Sequence, residues 1–161
     1  MGKGFVLSKI CYVVCIGMLQ PSVDVRVTVQ NIVSKYGYHA FFEHEYQEPL
    51  LDEYDSPFVI SIADAPKHDN CEMLLLPDGY YYNGRTNTNS FVERMAVLRD
   101  VVIFLRSVGQ SVELFLGTSG TAYDEFVEFH TSAEDIAQML EKYYCPPGQW
   151  MESDVHIIIT S

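Results

Sequence analysis

The order of elements along the chain predicts an α+β fold, a mixed or largely antiparallel sheet with about three helices packed mainly on one face. Three observations carry this expectation. Short runs rich in β-branched and aromatic residues recur, among them "PFVISIAD", "SVELFL" and "VHIIIT". One long stretch, "NSFVERMAVLRDVVIFLRSVG", places apolar residues at helical intervals behind a capping signal. Strand and helix signals do not alternate regularly, which disfavours a repeated βαβ arrangement. The 161 residues suit a single domain over 1–161, and 48% hydrophobic with 20% charged residues is a globular composition.

Taken in order, "FVLSKICYVVCIGM" reads as one long or bent strand. In the next stretch Pro21–Ser22 and Gly37 are start and stop signals for a helix from about 23 to 36, with Val25, Val29, Ile32 and Tyr36 on one stripe. The alternation of Val23, Val25, Val27 and Val29 argues for a strand, and the end signals tip the reading to helix. "YHAFFEHEY" reads as a strand ending near the acidic stretch, and "PFVISIAD" is a second compact one. "CEMLLLPDGYYYNGR" reads as a hairpin turned at Pro77–Asp78–Gly79 and punctuated by Asn83–Gly84.

Ser90 and Glu93 form a capping box for the long helix, which Gly109 ends. Phe91, Met95, Leu98, Val102 and Leu105 make its buried face, widened by Val101, Phe104 and Val108, while Arg94, Arg99 and Arg106 take the surface. "SVELFL" is a strand, followed by a turn over Gly117–Thr118–Ser119–Gly120. "FVEFH" is the next strand. Thr131 and Glu134 look like a second capping box, opening a helix with Ile136, Leu140 and Tyr143 that Cys145–Pro146–Pro147–Gly148 closes. "VHIIIT" has the composition of a buried strand.

Charge narrows the range of partners. Twenty-two acidic against ten basic residues leave a net charge of -12. Such a field repels nucleic-acid backbones and anionic membranes and attracts cationic proteins. The acids are unevenly spread: residues 43–55, "EHEYQEPLLDEYD", hold six carboxylates and no Lys or Arg, and nine more follow residue 107 against Lys142 alone. Cys11, Cys15, Cys71 and Cys145 are scattered through apolar surroundings, which points to buried free thiols and a cytoplasmic setting. The apolar run from Ile10 to Leu19 is too short to span a bilayer.

No local motif supplies chemistry. His44 is not part of an HExxH pattern, since Glu48 stands four residues on, and the carboxylates lack EF-hand spacing, so no metal is expected. "GTSG" is not a nucleophile elbow, "CYVVC" is not a redox CxxC, and no glycine pattern forms a phosphate cradle; no cofactor is expected. His156 in "DVHIII" suits a sheet-packed or edge position. An enzyme would have to assemble its site from distant residues, with His39, His44 or His130 beside a carboxylate.

What remains is an acidic surface interleaved with aromatics. An acidic binding module would use Glu43, Glu45, Glu48, Asp52, Glu53 and Asp55 as contacts, with Asp124, Glu125 and Glu128 as a second patch. Tyr46 and Tyr54 would be its desolvated anchors, while Leu50 and Leu51 hold the loop to the core. In size, acidity and lack of a catalytic motif the chain resembles bacterial immunity proteins, which neutralise toxins delivered by neighbouring cells. The resemblance is one of general character along the whole chain. It implies non-catalytic inhibition of a basic partner, a cognate toxin or nuclease, by occlusion of its active surface. A homodimer, or a homo-oligomeric structural or regulatory protein, is the third expectation.

Overall fold

The structure is a computed structural model that describes residues 9–16, 22–42, 49–54, 57–64, 71–75, 79, 81–82, 85–86, 89–143 and 154–160. Six strands form one sheet: β1 (Lys9–Ile16), β2 (His39–Phe41), β3 (Phe58–Ala63), β6 (Ser111–Thr118), β7 (Val127–Ser132) and β8 (Val155–Thr160). Their order is β2-β3-β1-β6-β8-β7, antiparallel throughout except for the parallel pair β7–β8. Strands β4 (Tyr81–Tyr82) and β5 (Arg85–Thr86) make a separate small ribbon. The described residues also form helices α1 (Val23–Lys35), α3 (Phe91–Ser107) and α4 (Ile136–Tyr143), with the single turn α2 (Glu72–Leu75). This is the expected α+β sheet carrying three main helices.

Strand periodicity divides the core in two. Cys11, Val13 and Cys15 of β1, Ile60 and Ile62 of β3, Leu114 and Leu116 of β6, and Val155 and Ile157 of β8 point to the helical side. They meet Val29 and Val33 of α1, Leu74 and Leu75 of α2, a broad stripe of α3, and Ile136 and Leu140 of α4. Full burial of each such aliphatic side chain stabilises by roughly 1.5–3 kcal/mol relative to exposure. The opposite side of the sheet carries a smaller core of Ile10, Tyr12, Val14, Val59 and Phe115, covered by Leu50 and Phe126. Among the described residues no helix covers that second side; two short 3₁₀ turns, Pro49–Glu53 and Tyr123–Glu125, do.

The competing signals around residue 25 resolve as a helix. The Ser22 side chain accepts from the Val25 N–H, and Gly37 leaves the helix at φ 88°. The Ser90–Glu93 capping box of α3 is present in both directions. Gln30 of α1 also caps the sheet edge, its Oε1 accepting from the Ala40 N–H at 3.2 Å.

Several expectations need correction. "CEMLLL" is not the first arm of a hairpin: Glu72–Leu75 turn as α2, with the Leu74 and Leu75 N–H groups bonded to the Cys71 carbonyl. Straight-chain Glu, Met and Leu favour helix here, and the paired part of the hairpin shrinks to β4–β5. Arg94 lies in the core at 1% exposure, because its Nη1 donates to the Leu74 carbonyl at 2.7 Å and its Nε to the Asn89 carbonyl at 3.2 Å. Val108, conversely, is exposed at the end of α3. Strand β6 runs on through Gly117 and Thr118, so the turn is only Ser119–Gly120. Thr131 is a strand residue of β7 rather than a helix cap; Ser132 and Asp135 form the turn before α4, with Ser132 Oγ donating to Asp135 Oδ2 at 2.9 Å. The Cys145–Gly148 stop signal, and the side chains of Tyr143 and the tyrosine ribbon, lie outside the described residues.

Cys11, Cys15 and Cys71 are buried. Burial pushes the Cys15 thiol up to about 12 and raises that of Cys11 as well, so both stay protonated. Among the described residues no helix is long and apolar enough to cross a membrane.

Candidate functional site

The side of the sheet without helices concentrates the polar chemistry. Register sets it out in rows. Ser61, Tyr12, Phe115, His156 and Glu128 are successive partners across β3, β1, β6, β8 and β7. The neighbouring row is Val59, Val14, Glu113, Ile158 and His130. Glu113 therefore sits diagonally from His156, within side-chain reach.

A buried cluster results. His156 is 2% exposed, and its Nε2 hydrogen-bonds Glu113 Oε1. The Tyr54 hydroxyl donates to the same oxygen at 2.6 Å and lies 3.3 Å from His156 Nε2. His156 Nδ1 faces Glu128 Oε1 at 3.9 Å, and the other Glu128 oxygen, Oε2, is 3.2 Å from His130 Nε2. Aromatic rings close the cluster: Phe115 stacks on His156, Tyr123 leans against it at 5.3 Å, and Tyr54 meets Phe115 edge-on at 6.0 Å.

Electrostatics follow from this packing. Burial alone would push the Glu113 carboxyl up, but hydrogen bonds from His156 and Tyr54 outweigh it and hold the group below its ordinary value of 4.5. Burial, then the Glu113 carboxylate, raises Tyr54, which stays a neutral donor. Tyr123 is raised for the same two reasons. A carboxylate-oriented imidazole is one component of an acid–base site. Here the ring is stacked, enclosed and bonded to Glu113, the carboxylate that also accepts from the Tyr54 hydroxyl beside the covering turn, an arrangement that fastens the turn to the sheet.

Around the cluster lies the acidic surface. The turns Pro49–Glu53 and Tyr123–Glu125 pack against each other, with the Tyr54 and Tyr123 rings 6.0 Å apart. Asp52 and Glu53 on one, Asp124 and Glu125 on the other, and Glu128 at the start of β7 are all exposed. The described part of the first acidic segment, residues 49–54, is thus a neighbour of the second acidic patch. Leu50 is fully buried and Leu51 packs on the second core, as loop anchors should. Tyr54 is partly buried with its hydroxyl engaged internally. Glu43, Glu45, Tyr46, Glu48 and Asp55, and His44 with them, lie outside the described residues.

Of the described histidines named for an enzymatic site, His130 borders the cluster, its Nε2 3.2 Å from Glu128 Oε2, while His39 is apart from it. His39 is on the edge strand β2, and His130 is exposed on β7. The buried histidine between two carboxylates is His156, which the sequence presents as a sheet-packed residue. Its signal, and that of Glu113, was a polar residue within an apolar central strand, in "VHIII" and "VELFL". Among the described residues no group of three or more His, Cys, Asp or Glu side chains is placed to hold a metal ion.

A second polar contact borders the cluster. Thr121 Oγ1 donates to Asp154 Oδ2 at 2.6 Å, and the Asp154 carboxylate lies over Gly117, where an added Cβ would stand 2.6 Å from Asp154 Cγ. Strand glycine here is a requirement of close approach. Comparison of the chain with protein-family models, with curated proteins and with solved structures finds no match.

Proposed function

We propose that this protein is an acidic binding module that occludes the active surface of a basic protein, a cationic toxin or nuclease being the kind of partner that fits. The observation that carries the reading is the packing of the two acid-bearing turns side by side on the helix-free side of the sheet. Asp52, Glu53, Asp124, Glu125 and Glu128 then present one exposed negative patch on a chain of net charge -12. Clustered carboxylates match the Lys and Arg groups that line a phosphate-binding groove, and their field speeds encounter. The Tyr54–Glu113–His156 cluster supports the reading in a second way. It holds the Pro49–Glu53 turn against the sheet, so less ordering entropy is lost on binding. Glu43, Glu45, Glu48 and Asp55, with Tyr46, belong to the same proposed contact set by sequence adjacency.

The test is capture of binding proteins from native lysate by the tagged chain at low and moderate salt, followed by kinetics with Asp52→Lys and Asp124→Lys. Retention of a cationic protein, with slower association for both variants and a smaller difference at higher salt, is the expected result. Absence of any cationic ligand, or association indifferent to both reversals, would end this reading. Acid–base catalysis is the second reading, favoured by the Glu113–His156 pair alone; loss of an activity in Glu113→Gln with partner binding retained would favour it.

A further inference from the structure

The two edges of the sheet are finished differently. At the β2 edge, Gln30 of α1 takes up a main-chain N–H. At the other edge, among the described strands, β7 pairs with β8 alone. The Val127 N–H donates to the Asp154 carbonyl at 2.9 Å, which fixes the phase of the parallel ladder. Val127, Phe129 and Thr131 bond inward to β8, so the main-chain groups of Glu128 and His130 point out of the sheet. Among the described residues none takes up those groups. Val127, Glu128 and His130 are also exposed by side chain. An open edge of this kind is a template for a further strand.

Charge selects the occupant. Glu128 projects from β7 on the helix-free side, and Asp124 and Glu125 stand in the turn just before it. A second copy of a chain with net charge -12 would bring like charge to like charge, whereas a cationic segment would not. We propose that β7 accepts an extended segment of the basic partner, added antiparallel at the open edge with a Lys or Arg opposite Glu128. This inference rests on the acidic-module reading and deepens it. Main-chain pairing supplies the affinity, and the cation opposite Glu128 supplies the selection. In an antiparallel pair the residue opposite Glu128 turns its own N–H toward β7, so the cationic residues of the added strand are the ones whose amides are needed.

The probe is a capped Lys-Thr-Lys-Val-Lys-Thr-Lys peptide with two N-methylated forms of equal charge, one methylated at the internal lysines and one at Thr and Val. The expected result is slowed amide exchange at Glu128 and His130 with the parent peptide. Affinity should fall by about tenfold or more on lysine methylation, the equivalent of losing at least one net hydrogen bond, and stay near the parent value on Thr/Val methylation. His130→Pro should abolish the protection at Glu128 while keeping the circular dichroism spectrum, because the lost N–H faces away from β8. Equal binding by all three peptides would overturn edge pairing and leave the acidic-face reading intact. No binding by any of them would also overturn the inference, with the lysate capture above deciding the broader reading separately. A dimer in sedimentation that His130→Pro dissociates would replace the cationic segment with a second copy.

Discussion

Phe115 and His156 are direct partners across the β6–β8 ladder, and their rings stack at 4.2 Å between centroids and 8° from parallel. That stack sets the plane of the imidazole, and with it the direction of both ring nitrogens. Nε2 is aimed at Glu113, and Nδ1 at Glu128 on the neighbouring strand. A single aromatic contact thus aligns a polar chain that starts at Tyr54 under the acidic turn and ends at the exposed His130. Its consequence is mechanical: the cover of the helix-free side is tied to the centre of the sheet.

Stability should report the Glu113 tie through pH. The folded carboxyl lies below its ordinary value of 4.5, so its contribution is fully present above that value and is lost as pH falls through the folded value. Glu113→Gln is expected to cost about 1–3 kcal/mol near neutrality, from hydrogen bonds to a charged acceptor. The gap in urea midpoint between wild type and variant should narrow as pH drops below 4.5. A gap that stays constant across the acid range would refute the assignment.

Gly117→Ala should destabilise by about 1–3 kcal/mol, since its Cβ would sit 2.6 Å from Asp154 Cγ and 2.8 Å from Asp154 Cβ. Pairing it with Asp154→Gly removes both contacts and should cost less than the sum of the single changes. Thermal unfolding of the four-member cycle measures that coupling.

Ser61→Ala should be neutral or stabilising by up to about 1 kcal/mol. Ser61 is fully buried, and its Oγ has no hydrogen-bond partner among the described residues. Denaturant melts decide it, and a clear loss of stability would show that the hydroxyl is satisfied in solution.

Arg94→Met should cost about 2 kcal/mol, because the Leu74 carbonyl loses its donor in a buried setting and the Asn89 carbonyl loses a half-buried one. Arg94→Lys should not restore it. A single ammonium cannot reach both carbonyls with the fork of a guanidinium, which also lies 5.5 Å over the Phe91 ring. Chemical denaturation of both variants checks this.

The chain by itself determined the class of fold and most of its elements. The Ser90–Glu93 box, the Ser22 and Gly37 boundaries, and the β-branched and aromatic runs of β1, β3, β6 and β8 are local signals, and local hydrogen bonding and residue propensity are enough to read them. It also showed two acidic stretches, and that Leu50 anchors one of them. Tertiary structure decided the rest. Arg94 is buried because carbonyls five and twenty residues away supply its partners, and helical spacing alone placed it outside. Gly117 is a strand residue because Asp154 crosses it, whereas a glycine beside Thr-Ser-Gly looked like a turn. Glu113 and His156 lie forty-three positions apart, and only the β6–β8 register brings them together. Strand register is a property of pairing, set by which faces find apolar cover, and no single strand carries it.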